Sequence, residues 1–202
     1  YKPELSYCQG MNFIMGFFYV IYQDEEKSFK IFTKVIDMML LEILQNNLLA
    51  VKKNFFIMDC LINDLYPDLS QHFCNEHIES SLFISPWILT LLTSSFQYSP
   101  NSHYIYIIWD FIIFEGWKGF YKVVLYFLGK FKRDLLCHRF DQILFFMNEM
   151  IKNDYFILQE KIDVPLEIYY KREKEKMKSI PVKKRKIFEF ERKFEILQNI
   201  LN

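Results

Sequence analysis

Alanine is almost missing from this 202-residue chain, occurring once, at Ala50. Phe and Tyr, with 22 and 13 copies, fill the space; a codon-biased genome produces such a skew, which carries no functional information. Net charge is missing too, because 25 Lys and Arg cancel 25 Asp and Glu. That excludes a globally basic nucleic-acid binder. The four cysteines, Cys8, Cys60, Cys74 and Cys137, contain no C-x-x-C pair, so reduced thiols in a cytosolic protein are expected. The start shows no basic stretch followed by an apolar core, so a secretory signal is not expected. The opening YKPELSYCQG, without a Met, reads as part of a longer protein. What is present is apolar: 51% hydrophobic residues can bury a large core, which rules out a disordered tail and sets one domain with at most an appendage.

The common catalytic signatures are also lacking. There is no Walker loop, no G-x-G-x-x-G, no G-x-S-x-G and no H-E-x-x-H. His72, Cys74, Glu76 and His77 are ligand types at short spacing, but a closed zinc site uses two separated pairs and no second pair stands nearby. A helix face or loop is expected there, and no metal. Two charge-free runs, Leu5 to Gln23 and Ser80 to Trp109, are broken by polar residues and by Pro86 and Pro100. They read as buried elements and not as membrane spans.

Helical spacing dominates the rest. Phe29, Phe32, Ile36, Met39 and Ile43 make one stripe over Glu25 to Leu44, with Asp24 as N-cap. Val51 to Leu65 repeats the pattern up to Pro67. Ser85-Pro86 reads as N-cap and first helical position of a helix through Trp87, Leu91 and Leu92. Further helices are expected over Tyr104 to Phe114, Phe120 to Phe127 and Phe140 to Ile151. No stretch alternates with period two, so the fold class is all-α. Composition shifts near Tyr169: residues 169–202 hold 11 basic and 5 acidic residues, against 14 and 20 before them. This tail reads as two charged helices around Pro181, forming an extension beyond a domain of residues 1–168.

Three segments carry polar groups inside apolar surroundings. They are Tyr7-Cys8-Gln9-Gly10-Met11-Asn12, Ser85-Pro86-Trp87-Ile88-Leu89-Thr90-Leu91-Leu92, and Trp109-Asp110-Phe111-Ile112-Ile113-Phe114-Glu115-Gly116. Taken singly, Gln9 reads as a buried amide, Gly10 as a packing glycine, Asp110 as a buried carboxylate needing a partner, and Glu115-Gly116 as a helix end. In this order, with PDLSQHF at Pro67 to Phe73, KVVLYFL at Lys122 to Leu128 and DLL…FDQILFF at Asp134 to Phe146, the chain resembles the TBC domain. That domain is the GTPase-activating module for Rab-family small GTPases. The resemblance runs from about Pro3 to Met150.

The resemblance implies a multi-helix fold and a mechanism. TBC domains supply two groups in trans to the GTPase: an arginine from an I-x-x-D-x-x-R motif and a glutamine from Y-x-Q. Here Gln9 matches the glutamine finger, with Tyr7, Gly10, Asn12, Trp109, Asp110, Glu115 and Gly116 as the supporting motif residues. An amide suits this task because it accepts from a water and donates to a phosphate oxygen at once. Asp110 would orient neighbours in the catalytic groove, and Trp87 and Trp109 would be core. No arginine precedes Gln9; Arg133, Arg139, Arg172, Arg185 and Arg192 all follow it, outside any such motif. The domain therefore reads as N-terminally truncated and inactive alone, since an arginine finger is worth about 10³ to 10⁵ in rate. Phe13, Phe17 and Phe18 are the residues expected to lie bare without the family's preceding helices, leaving the chain sticky or marginally stable.

The expected role is a regulator of Rab GTPases in vesicle traffic, not an enzyme with its own substrate. No cofactor is intrinsic, because GTP and Mg²⁺ belong to the partner. A cytoplasmic location is expected, peripheral on endomembranes, with membrane contact through the basic tail and no nucleic acid bound. The alternative is a non-catalytic Rab-binding adaptor that uses the same groove.

Overall fold

A two-residue link sets the first helical pair in the computed structural model, which describes Leu5 and residues 7–45, 48–96, 103–152 and 166–201. Helix α1 (Met11–Tyr22) closes when Gln23, at φ 49°, returns its N–H to Tyr19 O at 2.8 Å. Asp24 then caps α2 (Glu25–Val35), its Oδ1 accepting from Lys27 N at 2.9 Å, with Glu25 and Glu26 at the positive end of the helix. Asp24→Ala is expected to cost about 1 kcal/mol, read as a fall of roughly 2–4 °C in Tm. The helix expected over Glu25 to Leu44 is one rod with a wider turn inside it. A π-helical stretch, Ile36–Leu40, joins α2 to α3 (Leu41–Gln45). Steps of three and four do not reveal such a turn.

Helix α4 (Leu48–Leu65) ends at Pro67, which also starts α5 (Pro67–Asn75) at a position where its missing N–H costs nothing. The next helix corrects the expectation for Ser85-Pro86. Helix α6 runs Ser81–Thr90, so Pro86 lies inside it, exposed on the outer side, and Ser85 Oγ donates to Ser81 O as an interior residue. Leu91 and Leu92 are not helical but adopt left-handed conformations, at φ 47° and 69°. Then follow α7 (Thr93–Phe96), α8 (His103–Glu115), α9 (Trp117–Lys130), α10 (Lys132–Cys137) and α11 (Phe140–Lys152). Two more, α12 (Leu166–Ser179) and α13 (Lys184–Leu201), flank Pro181 as expected. Among the described residues there is no strand.

Helix α9 is the centre of the core, buried at every residue from Gly119 to Leu128. Its polar groups are satisfied: Tyr121 Oη donates to Asn54 Oδ1 at 2.7 Å, and Asn54 Nδ2 donates to Ala50 O at 2.8 Å. The pairing of α8 with α9 depends on Gly119, where an added Cβ would sit 2.3 Å from Phe111 O. Gly16 in α1 has nothing within 4 Å of such a Cβ. Gly16→Ala is therefore expected to stabilise by roughly 0.5–1 kcal/mol, while Gly119→Ala destabilises by about 2 kcal/mol, opposite signs readable in one denaturation series.

The tail, expected as a charged helical extension beyond residues 1–168, packs onto this core. Tyr169, Met177, Val182, Ile187 and Phe190 join its buried cluster, and Phe194 lies 5.7 Å from Phe56, centroid to centroid. Glu173 is fully buried in α12 and takes hydrogen bonds from Tyr126 Oη and from Lys130 Nζ at 3.1 Å. The sign of its charge hides this placement: the basic residues face outward from an apolar stripe that faces in.

Candidate functional site

Gln9 stands at the corner of a tight turn that closes when Met11 N donates to Cys8 O at 3.2 Å. Gly10 takes the next corner at φ 113°, the left-handed conformation that turns of this kind reserve for glycine. A hydrogen bond spans the turn, as Tyr7 Oη donates to Asn12 Oδ1 at 3.2 Å. The Y-x-Q-G-x-N spacing thus builds a closed loop on the N-terminus of α1. Gln9 is exposed there, not buried, and its carboxamide makes no hydrogen bond to a described residue. The reading of Gln9 as a buried amide is corrected: the turn points it outward.

Two other motifs hold this turn in place. A Cβ on Gly10 would sit 3.0 Å from Thr90 Cγ2 and 3.1 Å from Leu89 O, so only glycine lets α1 meet the end of α6. That end is strained, with Leu91 and Leu92 left-handed and fully buried, conformations costing about 1–3 kcal/mol each unless packing fixes them. One to two turns into α1, Phe17 stacks on Trp109 at 5.0 Å and Phe18 meets it edge-on at 5.1 Å. Trp109 is 2% exposed and Trp87 3%, so both are core. Trp109 Nε1 finds no acceptor among the described residues. The first segment therefore rests on the second through Gly10 and on the third through Trp109. Neither contact is visible in residue spacing; the glycine in YCQGMN was the one available signal.

The acids of the third segment face away from this platform. Asp110 is half exposed and pairs with Lys174 of α12 at 2.7 Å, so the expectation of a buried carboxylate is corrected. The helix register explains it: Trp109 and Ile112 take the inward face of α8 and Asp110 the outward one. Glu115, the last residue of α8, pairs with Lys118 at 2.7 Å and Lys122 at 3.3 Å. Burial pushes its carboxyl up, yet the two lysines outweigh this and hold it below its ordinary value. Its stabilising contribution is thus present above the ordinary carboxylate range and lost as pH falls through the lowered pKa. Lys122 also donates to Lys178 O at 3.2 Å, so both acids are tied to α12. Gly116, at φ 60°, makes the corner between α8 and α9.

Among the described residues, no three of His, Cys, Asp and Glu gather in a way that could hold a metal ion. His72 Nε2 instead bonds His138 O at 2.9 Å, and Glu76 accepts from Phe140 N at 3.0 Å at the start of α11. No helix among the described residues is long and apolar enough to cross a membrane. The apolar residues left bare on α1 are Tyr19, Val20, Ile21 and Tyr22; Phe18 is buried, and Phe13 and Phe17 are partly covered. Phe17 and Phe18 are claimed by Trp109, which corrects the expected trio.

The Rab-GTPase-TBC domain matches residues 1–136. Human TBC1 domain family member 1 is 28% identical over 160 residues, 78% of this chain and 13% of that protein. The Rab GTPase-activating protein tbc-11 of Caenorhabditis elegans is 28% identical over 156 residues, 77% of this chain and 16% of that protein. Growth hormone-regulated TBC protein 1 of Xenopus laevis is 24% identical over 168 residues, covering 79% and 47%. The chain thus spans between about an eighth and a half of the length of these relatives.

Proposed function

Because the chain belongs to the Rab-GTPase-TBC domain family, we propose that it acts as a GTPase-activating module for a Rab-family small GTPase and presents Gln9 to the partner's active site. The observation that carries this reading is the exposed Gln9 amide on a turn fastened by Gly10 against α6 and by α1 against Trp109. Such a group can align a water and donate to a phosphate oxygen, and a fixed turn lowers the cost of placing it. Tyr7 and Asn12 support the turn, Trp109 supports α1, Asp110 and Glu115 (through Lys122) brace α8 and α9 against the tail, and Gly116 makes the corner between those two helices. GTP and Mg²⁺ come with the partner, and the chain supplies no cofactor. The relatives named for Rab GTPase activation support this class of activity, and a role in vesicle traffic follows from it.

A second reading is a non-catalytic Rab-binding adaptor that would use the same exposed turn for contact without supplying a catalytic group. The test is single-turnover GTP hydrolysis by a panel of Rab proteins, with this chain and with a form joined to a TBC arginine-motif segment. Stimulation by the joined form, and little by the chain alone, is the expected result. GTP-dependent binding without stimulation by either form would leave the adaptor.

A further inference from the structure

Helix α13 has a second apolar stripe that the fold does not use. Its inward side is Ile187, Phe190 and Phe194, all buried. A helix with one stripe in the core ordinarily turns a polar face to solvent. Here steps of four bring Phe188, Ile196 and Ile200 to the surface, 65%, 50% and 73% exposed, with Arg192 between them. Lys183, Lys184 and Arg185 stand exposed at the start of the helix, and no acid occupies its first turn, where the dipole favours carboxylates. Arg185 pairs with Glu189 and Lys186 with Asp64, but Lys183, Lys184 and Arg192 form no ion pair with a described residue. Glu189 and Glu195 are the carboxylates on the outer side, outnumbered by the bases. Cations placed against the dipole, beside an exposed Phe, do nothing for the helix itself.

We propose that the outer face of α13 docks on an anionic membrane surface. Lys183, Lys184 and Arg192 meet the headgroups, while Phe188, Ile196 and Ile200 enter the boundary below them. Charge complementarity selects this occupant, since residues 169–202 carry 11 bases against 5 acids and an anionic leaflet attracts each base near it. The apolar stripe supplies the second signal, because neither weak insertion nor a basic cluster alone anchors firmly. An acidic protein would use the charges and leave the stripe bare. The inference rests on α13 alone and not on any GTPase reaction, so it stands or falls separately from the activity proposed above.

The experiment is sedimentation of the full chain with vesicles of phosphatidylcholine, alone and mixed with phosphatidylserine. Binding only to the mixed vesicles, weakened by salt, is expected. The variant K183A/K184A/R192A should bind about a hundredfold more weakly, and Phe188→Ser about tenfold. All four positions are solvent-facing, and unchanged thermal melting confirms that the fold is intact. Equal binding to phosphatidylcholine alone, unchanged binding of the triple variant, or capture of polyglutamate without vesicle binding would overturn the proposal.

Discussion

Replacing Glu173 by Ala is expected to destabilise the protein by about 3–5 kcal/mol, a fall in Tm of roughly 10 °C or more. The Glu173 side chain is 1% exposed and faces Lys130, itself 13% exposed, at 3.1 Å, with Lys176 at 2.6 Å and Tyr126 Oη alongside. Removing the carboxylate takes the acceptor from the buried Tyr126 hydroxyl and a close carboxylate from the nearly buried Lys130 ammonium, which keeps its bond to Tyr169 Oη at 3.3 Å, and breaking a buried pair from one side costs more than the net worth of the pair. The double variant Glu173→Leu with Lys130→Met should recover much of the loss, since an apolar pair of similar volume needs no partner. The contrast is Asp110→Ala, which breaks an exposed pair with the same helix, Lys174 at 2.7 Å, and should cost no more than about 1 kcal/mol. Thermal melting of the four proteins decides the matter. If Glu173→Ala melts like the parent, α12 is not held to α9 by this network.

That network marks the limit of what the residue pattern disclosed. Helices were legible because Phe, Ile and Leu recur at steps of three and four, and Asp24 and Pro67 punctuate them as local chemistry requires. Pro86 was misplaced because a proline at a helix start and one exposed inside a helix look alike until the turns before it are seen. The packing of the tail is not legible because charge counts do not report which side of a helix a lysine occupies; Tyr169, Met177 and Ile187 face the core. Asp110 was misjudged for the converse reason, since one step beyond a buried Trp109 turns the next side chain by about 100°. At the site, Gln9 and Gly10 stood out by motif. What they rest on, Thr90, Leu89 and Trp109, is distant in the chain, and no local rule joins residues that far apart.

The turn at Gln9 separates a functional residue from a structural one by two measurements with opposite expectations. Gln9→Ala should lower the stimulation of GTP hydrolysis in the arginine-bearing form by about 10²–10³, the scale seen when one preorganised donor is removed from a site that stabilises developing charge. The same change should leave stability within about 0.5 kcal/mol of the parent, because the exposed amide holds no hydrogen bond to a described residue. A Gln that shaped the turn would reverse both results, losing stability while keeping some activity. Gly10→Ala probes the mounting instead of the finger. At φ 113°, with Leu89 O 3.1 Å from the new methyl, it should lose about 1–2 kcal/mol and most of the stimulation together, because α1 must back away from α6. Restored stimulation at low temperature, where the turn refolds, would be expected of Gly10→Ala and not of Gln9→Ala, whose missing amide no refolding supplies. Full activity in Gln9→Ala would refute the finger and leave Gln9 as one exposed residue on a turn whose purpose is to seat α1.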